Sequence, residues 1–186
     1  MWKQFKTSMQ RWRRILIIAP SIASLVIAGS QVGLFNLLEW SIRDRLFRLR
    51  PSEPIDERIV IVTIDESDIQ YVKNWPMSDR IMAQLIRTIE AQQPRGIAID
   101  VYRDLPVEPG HQALVEVFKS TPNLIGIEKV TKPPIAPPPA LDKLGQVAAN
   151  DLVLDADGKI RRGLIILGKE DGSIREGFGV KLALIY

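Results

Sequence analysis

Acidic side chains that follow two predicted strands are the residues best placed to do chemistry in this chain. Asp65 comes directly after the apolar run 59–64, and Asp100 comes directly after the run 96–99. Ligands of open α/β sheets bind outside the carboxyl ends of the strands, so these carboxylates would converge there if the two strands are neighbours. Polar and aromatic side chains from nearby loops could line the same pocket. The candidate ligand-binding residues are Asp65, Glu66, Asp68, Trp75, Asp79, Asp100, Tyr102 and Arg103.

Two interpretations of these acids are open. A divalent metal held by Asp65 and Asp100 would support hydrolysis, which makes a membrane-tethered metal-dependent hydrolase one alternative. Such an enzyme needs further ligands and a general base, and the sequence offers no convincing residue for either role. The simpler interpretation is that the acids cap helices, pair with Arg80 or Arg103 and face water. We therefore predict no catalytic residue, no metal ligand and no cofactor.

Composition excludes several other kinds of site. The chain has no cysteine and a single histidine, so disulfides, cysteine metal sites, a histidine-rich metal centre and a His-dependent triad are not expected. His111 stands at the start of an apparent helix, and we expect it at the surface. The acidic stretch 151–158 lacks the spacing and the final glutamate of an EF-hand loop, so it is interpreted as a turn.

The elements that would position the candidate residues follow an α/β pattern. The runs 59–64 and 96–99 are each typical of a strand buried on both faces, as in a parallel sheet. Between them, an apolar stripe that starts after Ser78 and stops at Pro94 predicts a helix. The three elements would form a βαβ unit with a right-handed crossover. A second helix and a third strand extend the pattern over 112–119 and 123–128.

The pattern changes in the last third of the chain. The proline-rich segment 132–139 can only be an extended connector or a surface loop. Beyond it, the sequence predicts two strands joined by a hairpin turn at 155–158, and then a second turn at 171–172. An apolar helix begins at Phe178. The predicted fold class is α/β, with a hairpin appended to a mainly parallel sheet.

An uncharged run at residues 15–38 predicts a membrane anchor. It has 24 residues, and a spanning helix needs roughly 20 apolar residues. A cleaved signal peptide and a buried core helix are the alternatives. The run is longer than the apolar region of a signal peptide, and a core helix this apolar is uncommon at a chain terminus. An amphipathic helix over 39–50 would continue out of the anchor and end at Pro51.

The positive charge of the chain belongs to its first 14 residues. This tail has five basic residues and no acid, whereas the rest of the chain has 20 basic and 22 acidic residues. The predicted domain therefore lacks the basic surface of a nucleic-acid-binding protein, and we expect no nucleic-acid partner. Four arginines follow the uncharged run at 43–50, so the positive-inside rule only weakly favours a cytoplasmic tail.

Five segments in a fixed order resemble a known family. They are WSIRDRLFRLRP (40–51), IVIVTIDESD (59–68), NWPMSD (74–79), GIAIDVYRDLP (96–106) and NDLVLDADGKIRR (150–162). Together they closely resemble the extracytoplasmic sensory domains of the CHASE group, second class. These domains occur in bacterial adenylate and guanylate cyclases, histidine kinases and serine/threonine kinases, notably in cyanobacteria. The resemblance covers about residues 37–186.

The resemblance implies an architecture as well as a fold. Such receptors have an N-terminal span, a periplasmic sensor, typically three further spans and a cytoplasmic output domain. By this likeness the tail 1–14 is cytoplasmic, 15–38 is the transmembrane helix and 39–186 is the sensor domain. The likeness also implies that the sequence ends before the later spans and the output module. No ligand motif of the family can be carried over to residues of this chain.

The sequence thus predicts a membrane-anchored sensory domain without catalytic activity. Its expected location is the cell (inner) membrane, with the domain extracytoplasmic. Its expected partners are the lipid bilayer, an unidentified small molecule or other stimulus, a second copy in a homodimer, and a cyclase or kinase output module. The metal-dependent hydrolase stays open as one alternative. A dimerisation module that binds no ligand is the other.

Overall fold

The chain forms two compact units, Met1–Val60 and Ile61–Tyr186. The computed structural model describes residues 2–186, with the side chains of residues 15–186.

The first unit contains two helices separated by a sharp bend. Helix α1 covers Trp2–Gln31 and helix α2 covers Asn36–Leu49. Gly33 adopts a left-handed φ of 78°, and its amide donates to the Ser30 carbonyl while the amide of Leu34 donates to the Gly29 carbonyl. This pair of hydrogen bonds is a Schellman motif, which ends a helix. The continuous helix predicted over 15–38 is therefore interrupted after Gln31.

The bend bears directly on the predicted membrane anchor. In the part of the chain that the structure describes, no single helix is both long and apolar enough to span a membrane. The part of α1 from Ile15 to Gln31 and helix α2 satisfy the criteria of length and composition only when taken together, and they meet at an angle of 77°.

The predicted strand over 59–64 does not form. This segment has no regular secondary structure, and the side chains of Ile59, Val60, Ile61 and Val62 are 54–81% exposed. A run of β-branched residues predicts a strand only if a neighbouring strand supplies backbone partners and a surface to pack on. The described sheet forms without this segment, so the βαβ unit predicted from it is wrong.

A three-stranded parallel sheet lies at the centre of the second unit. Its strands are β1 (Ile97–Ala98), β2 (Leu124–Glu128) and β3 (Val147–Ala149), in the order β1-β2-β3. Ile97 is opposite Leu124, and Gly126 is opposite Val147. All five residues of β2 are buried, as expected for a central strand covered on both faces. The predictions at 96–99 and 123–128 are confirmed, whereas β3 was not predicted.

Five helices accompany this sheet in the described part of the second unit. They are α3 (Glu66–Val72), α4 (Asp79–Glu90), α5 (His111–Ser120), α6 (Pro139–Lys143) and α7 (Phe178–Ile185). The predictions of helices before Pro94, at 112–119 and from Phe178 are confirmed. Helix α5 connects β1 to β2 and α6 lies between β2 and β3, so each pair of parallel strands has its own helical crossover.

The appended hairpin is present, but at the second of the two predicted turns. Strands β4 (Ile166–Gly168) and β5 (Ile174–Glu176) pair antiparallel around the turn at 171–172. At the turn 155–158, a single bridge joins Leu154 to Ile160. The strands predicted on either side of that first turn are therefore reduced to one residue pair.

The hydrophobic core lies between the sheet and helices α4 and α5. Its most buried members are at most 3% exposed; they include Met82, Ile86, Leu114, Phe118 and Leu124. The four apolar residues from the helices lie on the stripes that helical spacing predicts. This core fixes the carboxyl ends of the strands and the amino end of α4, where the polar residues of the candidate site are found.

Candidate functional site

Polar side chains gather at the carboxyl edge of the parallel sheet. Asp100 follows β1, Thr131 follows β2, and Asn150 and Asp151 follow β3. The Asn150 side-chain amide donates to Asp100 Oδ1 over 2.6 Å. Because this edge is where open α/β sheets bind ligands, it is the first part of the candidate site.

Asp151 is a buried acceptor at this edge. Its carboxylate accepts hydrogen bonds from the amides of Val130 and Thr131, over 2.8 Å and 2.7 Å, and from the Thr131 hydroxyl. Burial works to raise the pKa of this carboxyl, but the hydrogen bonds from Thr131 and Val130, with the charge of Lys129, hold the pKa below its usual value. Asp151 is thus a structural anion that fixes the loop after β2.

Tyr102 lies beside the same acids. Its pKa is raised, first by burial and then by the negative charges of Asp151 and Asp100. These charges oppose formation of the phenolate, so Tyr102 keeps its proton and is available as a hydrogen-bond donor.

A second polar cluster is centred on Asp79, the first residue of α4. Asp79 is 1% exposed. Its Oδ1 lies 3.3 Å from Arg103 Nη1, and its Oδ2 lies 2.8 Å from His111 Nδ1. The amide of Val107 also donates to Oδ2 over 3.3 Å. One buried carboxylate therefore joins the start of α4 to the loop at 101–110 and to the start of α5.

The loop at 101–110 also satisfies the backbone at the start of α4. The amides of Asp79 and Arg80 donate to the carbonyls of Val107 and Pro109, over 2.8 Å and 2.9 Å. The first amides of a helix have no partner inside the helix, so these loop carbonyls replace a side-chain cap. Ser78 occupies the N-cap position, but its side chain makes no capping hydrogen bond.

Arg103 is incompletely paired. Its side chain is 2% exposed, and its Nε and Nη2 atoms are buried without a hydrogen-bond partner among the described residues. Burial lowers the pKa of the guanidinium, and the charge of Asp79 opposes that shift. Such unpaired donors are uncommon in protein interiors.

The acids after the run 59–64 do not join these clusters. The side chain of Asp65 accepts from the amides of Ser67 and Asp68, and the side chain of Asp68 accepts from the amide of Asp65. This reciprocal arrangement is a capping box at the start of α3. The hydrogen bonds from Ser67 and Asp68 lower the pKa of Asp65. Glu66 is exposed in the same turn.

The simpler interpretation of the acids at 65–68 therefore describes their role in this structure, because they cap a helix and face water. Their predicted convergence with Asp100 depended on a strand at 59–64, which is absent. Trp75 is 51% exposed in the loop between α3 and α4. Among the described residues, no group of three or more His, Cys, Asp or Glu side chains is arranged to hold a metal ion.

Sequence reasoning missed some of the residues in these clusters. His111 was expected at the surface; its side chain is 38% exposed, but it is bonded to the buried Asp79. Asp151 was considered only as part of a turn. The short apolar run 147–149 could have been interpreted as a strand. Asp151 would then have been placed just after the end of that strand, at the carboxyl edge of the sheet.

The sequence of residues 21–186 matches the family model of the CHASE2 domain. The match covers most of the chain, and the chain therefore belongs to the CHASE2 family. CHASE2 is a family of extracellular sensory domains rather than of catalytic ones. Searches of curated proteins and of solved structures gave no significant match.

Proposed function

We propose that this chain is the extracytoplasmic, stimulus-binding part of a membrane-anchored signal-transduction receptor. Membership of a sensory family is the observation that carries the proposal. The uncharged run at 15–38 and the basic tail before it support attachment to a membrane with the tail inside the cell. In this proposal the second unit, Ile61–Tyr186, faces the outside.

The stimulus would act at the polar residues of the second unit. Asp100 and Tyr102 lie at the carboxyl edge of the sheet. Asp79 pairs with Arg103, which belongs to the loop at 101–110. Carboxylate acceptors, a donor hydroxyl and a guanidinium are thereby present at Asp79 and within residues 100–103. A small polar molecule is the class of ligand that such groups recognise.

Signalling requires that the ligand distinguish two conformations. A ligand that binds both conformations equally shifts no population, however tightly it binds. We propose that the response passes through the membrane helices to a cyclase or kinase output module, and that the receptor works as a homodimer. The resemblance to the sensory domains of bacterial cyclases and kinases supports such a module.

Paired reporter fusions test the proposed topology. Alkaline phosphatase fused after Thr131, which lies within the proposed outer domain, should be active because the enzyme folds only outside the cytoplasm. A fluorescent protein that folds only in the cytoplasm should stay dark at the same position. The same two reporters fused before Met1 should give the opposite pattern. A bright cytoplasmic reporter after Thr131, or release of the chain from washed membranes, would contradict the proposal.

A further inference from the structure

We propose that Arg103 forms a binding site for a carboxylate ligand, which is held by the Nε and Nη2 atoms of its guanidinium. This inference rests on the sensory function proposed above and specifies the chemistry that the sensor recognises. Three observations carry it: the unpaired buried donors, the shape of the edge that they form, and the charge that surrounds them.

The first observation is the unsatisfied guanidinium. Arg103 is 5% exposed, and one of its donors, Nη1, lies 3.3 Å from Asp79 Oδ1. That distance is longer than the usual hydrogen bond of a charged pair. Nε and Nη2 have no partner among the described residues. Because a buried charged donor without an acceptor carries its full desolvation cost, an acceptor from outside the chain accounts for the arrangement.

The second observation is the geometry of the unpaired atoms. The N–H of Nε and one N–H of Nη2 point in parallel along the same edge of the planar guanidinium. This edge matches two oxygens of one anion in a bidentate pair, as in arginine–carboxylate and arginine–phosphate recognition. A lone lysine in this position would present a point charge and could not form the parallel pair.

The third observation distinguishes between these anions. Asp79 is 1% exposed and already provides one negative charge beside Arg103. A singly charged carboxylate adds one further negative charge to this buried cluster, whereas phosphate at neutral pH adds up to two. Uncompensated charge is costly to bury, so the cluster favours the carboxylate.

Ligand binding at this site is coupled to the loop at 101–110. Nε and Nη2 are closed to solvent in this structure, so an anion reaches them only when the chain around Arg103 moves. The loop is held to α4 by its Val107 and Pro109 carbonyls and by Asp79. A carboxylate that binds only the moved loop increases the population of that conformation, which is what a sensor requires.

Propionate titration of the chain of residues 1–186 in detergent micelles tests the site directly. The readout is the arginine Nε–H resonance of Arg103 in ¹⁵N NMR spectra, which is assigned by its absence from the Arg103→Lys variant. Propionate should shift this resonance in a saturable manner. Propionamide, which has the same shape and no charge, should leave it unchanged, and phosphate should shift it less than propionate at equal concentration.

Variants test the affinity for propionate. The affinity is obtained from the rise in the thermal unfolding midpoint of the chain as the propionate concentration increases. Arg103→Lys keeps a positive charge beside Asp79 but loses the parallel donors, so propionate should bind about tenfold more weakly. Arg87 is an exposed arginine on α4, and Arg87→Lys, its matched control, should bind propionate like the unmodified chain.

Several results would overturn the inference. These are a stationary Arg103 resonance, an equal response to propionamide, or unchanged affinity in Arg103→Lys; a stronger response to phosphate would overturn the choice of carboxylate. If Arg103→Lys does not fold, the Arg103 resonance is assigned by through-bond correlation to its backbone in the unmodified chain, and the comparison of propionate with propionamide decides. The reporter fusions do not depend on this site, so failure of the carboxylate site and failure of the proposed topology are distinguishable.

Discussion

Asp79 is a residue on whose charge the stability of the second unit should depend. Its buried carboxylate is the only described charge partner of Arg103, so Asp79→Asn leaves a buried guanidinium without a counter-charge. Breaking one side of a buried ion pair should lower the free energy of unfolding by about 3 kcal/mol, measured by chemical denaturation. Glu116→Gln, an exposed change on α5, should alter it by less than about 0.5 kcal/mol. Equal stability of the two variants would contradict the role given to Asp79.

Asp151 should make the stability of the second unit depend on pH. Its folded-state pKa is lowered, so its contribution is complete above the unfolded-state pKa of about 4 and is lost as the pH falls through the lower folded-state value. Asp151→Asn should therefore cost about 1–3 kcal/mol at neutral pH. The difference between Asp151→Asn and the unmodified chain should shrink in acid, as followed by denaturation at a series of pH values. A difference that stays constant down to acid pH would contradict this account.

Gly110 is the glycine on which the loop at 101–110 depends. It has a φ of 106°, and a Cβ atom there would lie 2.6 Å from the Cα and N atoms of Arg80. Alanine would be both strained and blocked by backbone, so Gly110→Ala should lower the free energy of unfolding by more than about 2 kcal/mol. Gly145→Ala is the matched control, because Gly145 also has a positive φ but has open space around it. If thermal denaturation shows equal losses in the two variants, close approach to Arg80 is unimportant.

The elements that could be predicted from the sequence are those whose signals are local. Helix α4 has a stripe of apolar residues before Pro94, α5 has a comparable stripe, and α7 follows an apolar run that begins at Phe178. The segment 59–64 has an equally strong strand signal but remains unpaired, because strand pairing depends on residues far away in the sequence. Gly33 interrupts the predicted anchor for a different reason. Gly33 adopts a left-handed conformation that ends the helix, and the apolar composition of the run gives no indication of it.

The candidate site could be predicted only in part. Placing Asp100 and Tyr102 at the end of β1 required one correct strand, and that strand was predicted. Grouping them with Asp65 required a second strand that is absent. The contacts of Asp79 with Arg103 and His111 join residues 24 and 32 positions apart. They depend on how the loop at 101–110 folds over α4, and residue spacing holds no information about that.

The distribution of charge along the whole sequence supports the proposed topology. The five basic residues of the tail precede the uncharged run, and residues 15–186 carry a small net negative charge. A basic tail retained in the cytoplasm and a domain without a strong positive field are consistent with an extracytoplasmic sensor. Family membership shows a sensory domain, and the central claim of the proposed topology is that this domain lies outside the cell.

Labelling of single cysteines tests that claim most directly. The chain contains no cysteine, so Lys119→Cys on α5 and Ser8→Cys in the tail each provide a unique thiol. In spheroplasts of a bacterial expression host, a membrane-impermeant maleimide should label Lys119→Cys fully, and it should label Ser8→Cys only after the membrane is permeabilised. Labelling of Ser8→Cys in sealed spheroplasts together with protection of Lys119→Cys would contradict the account.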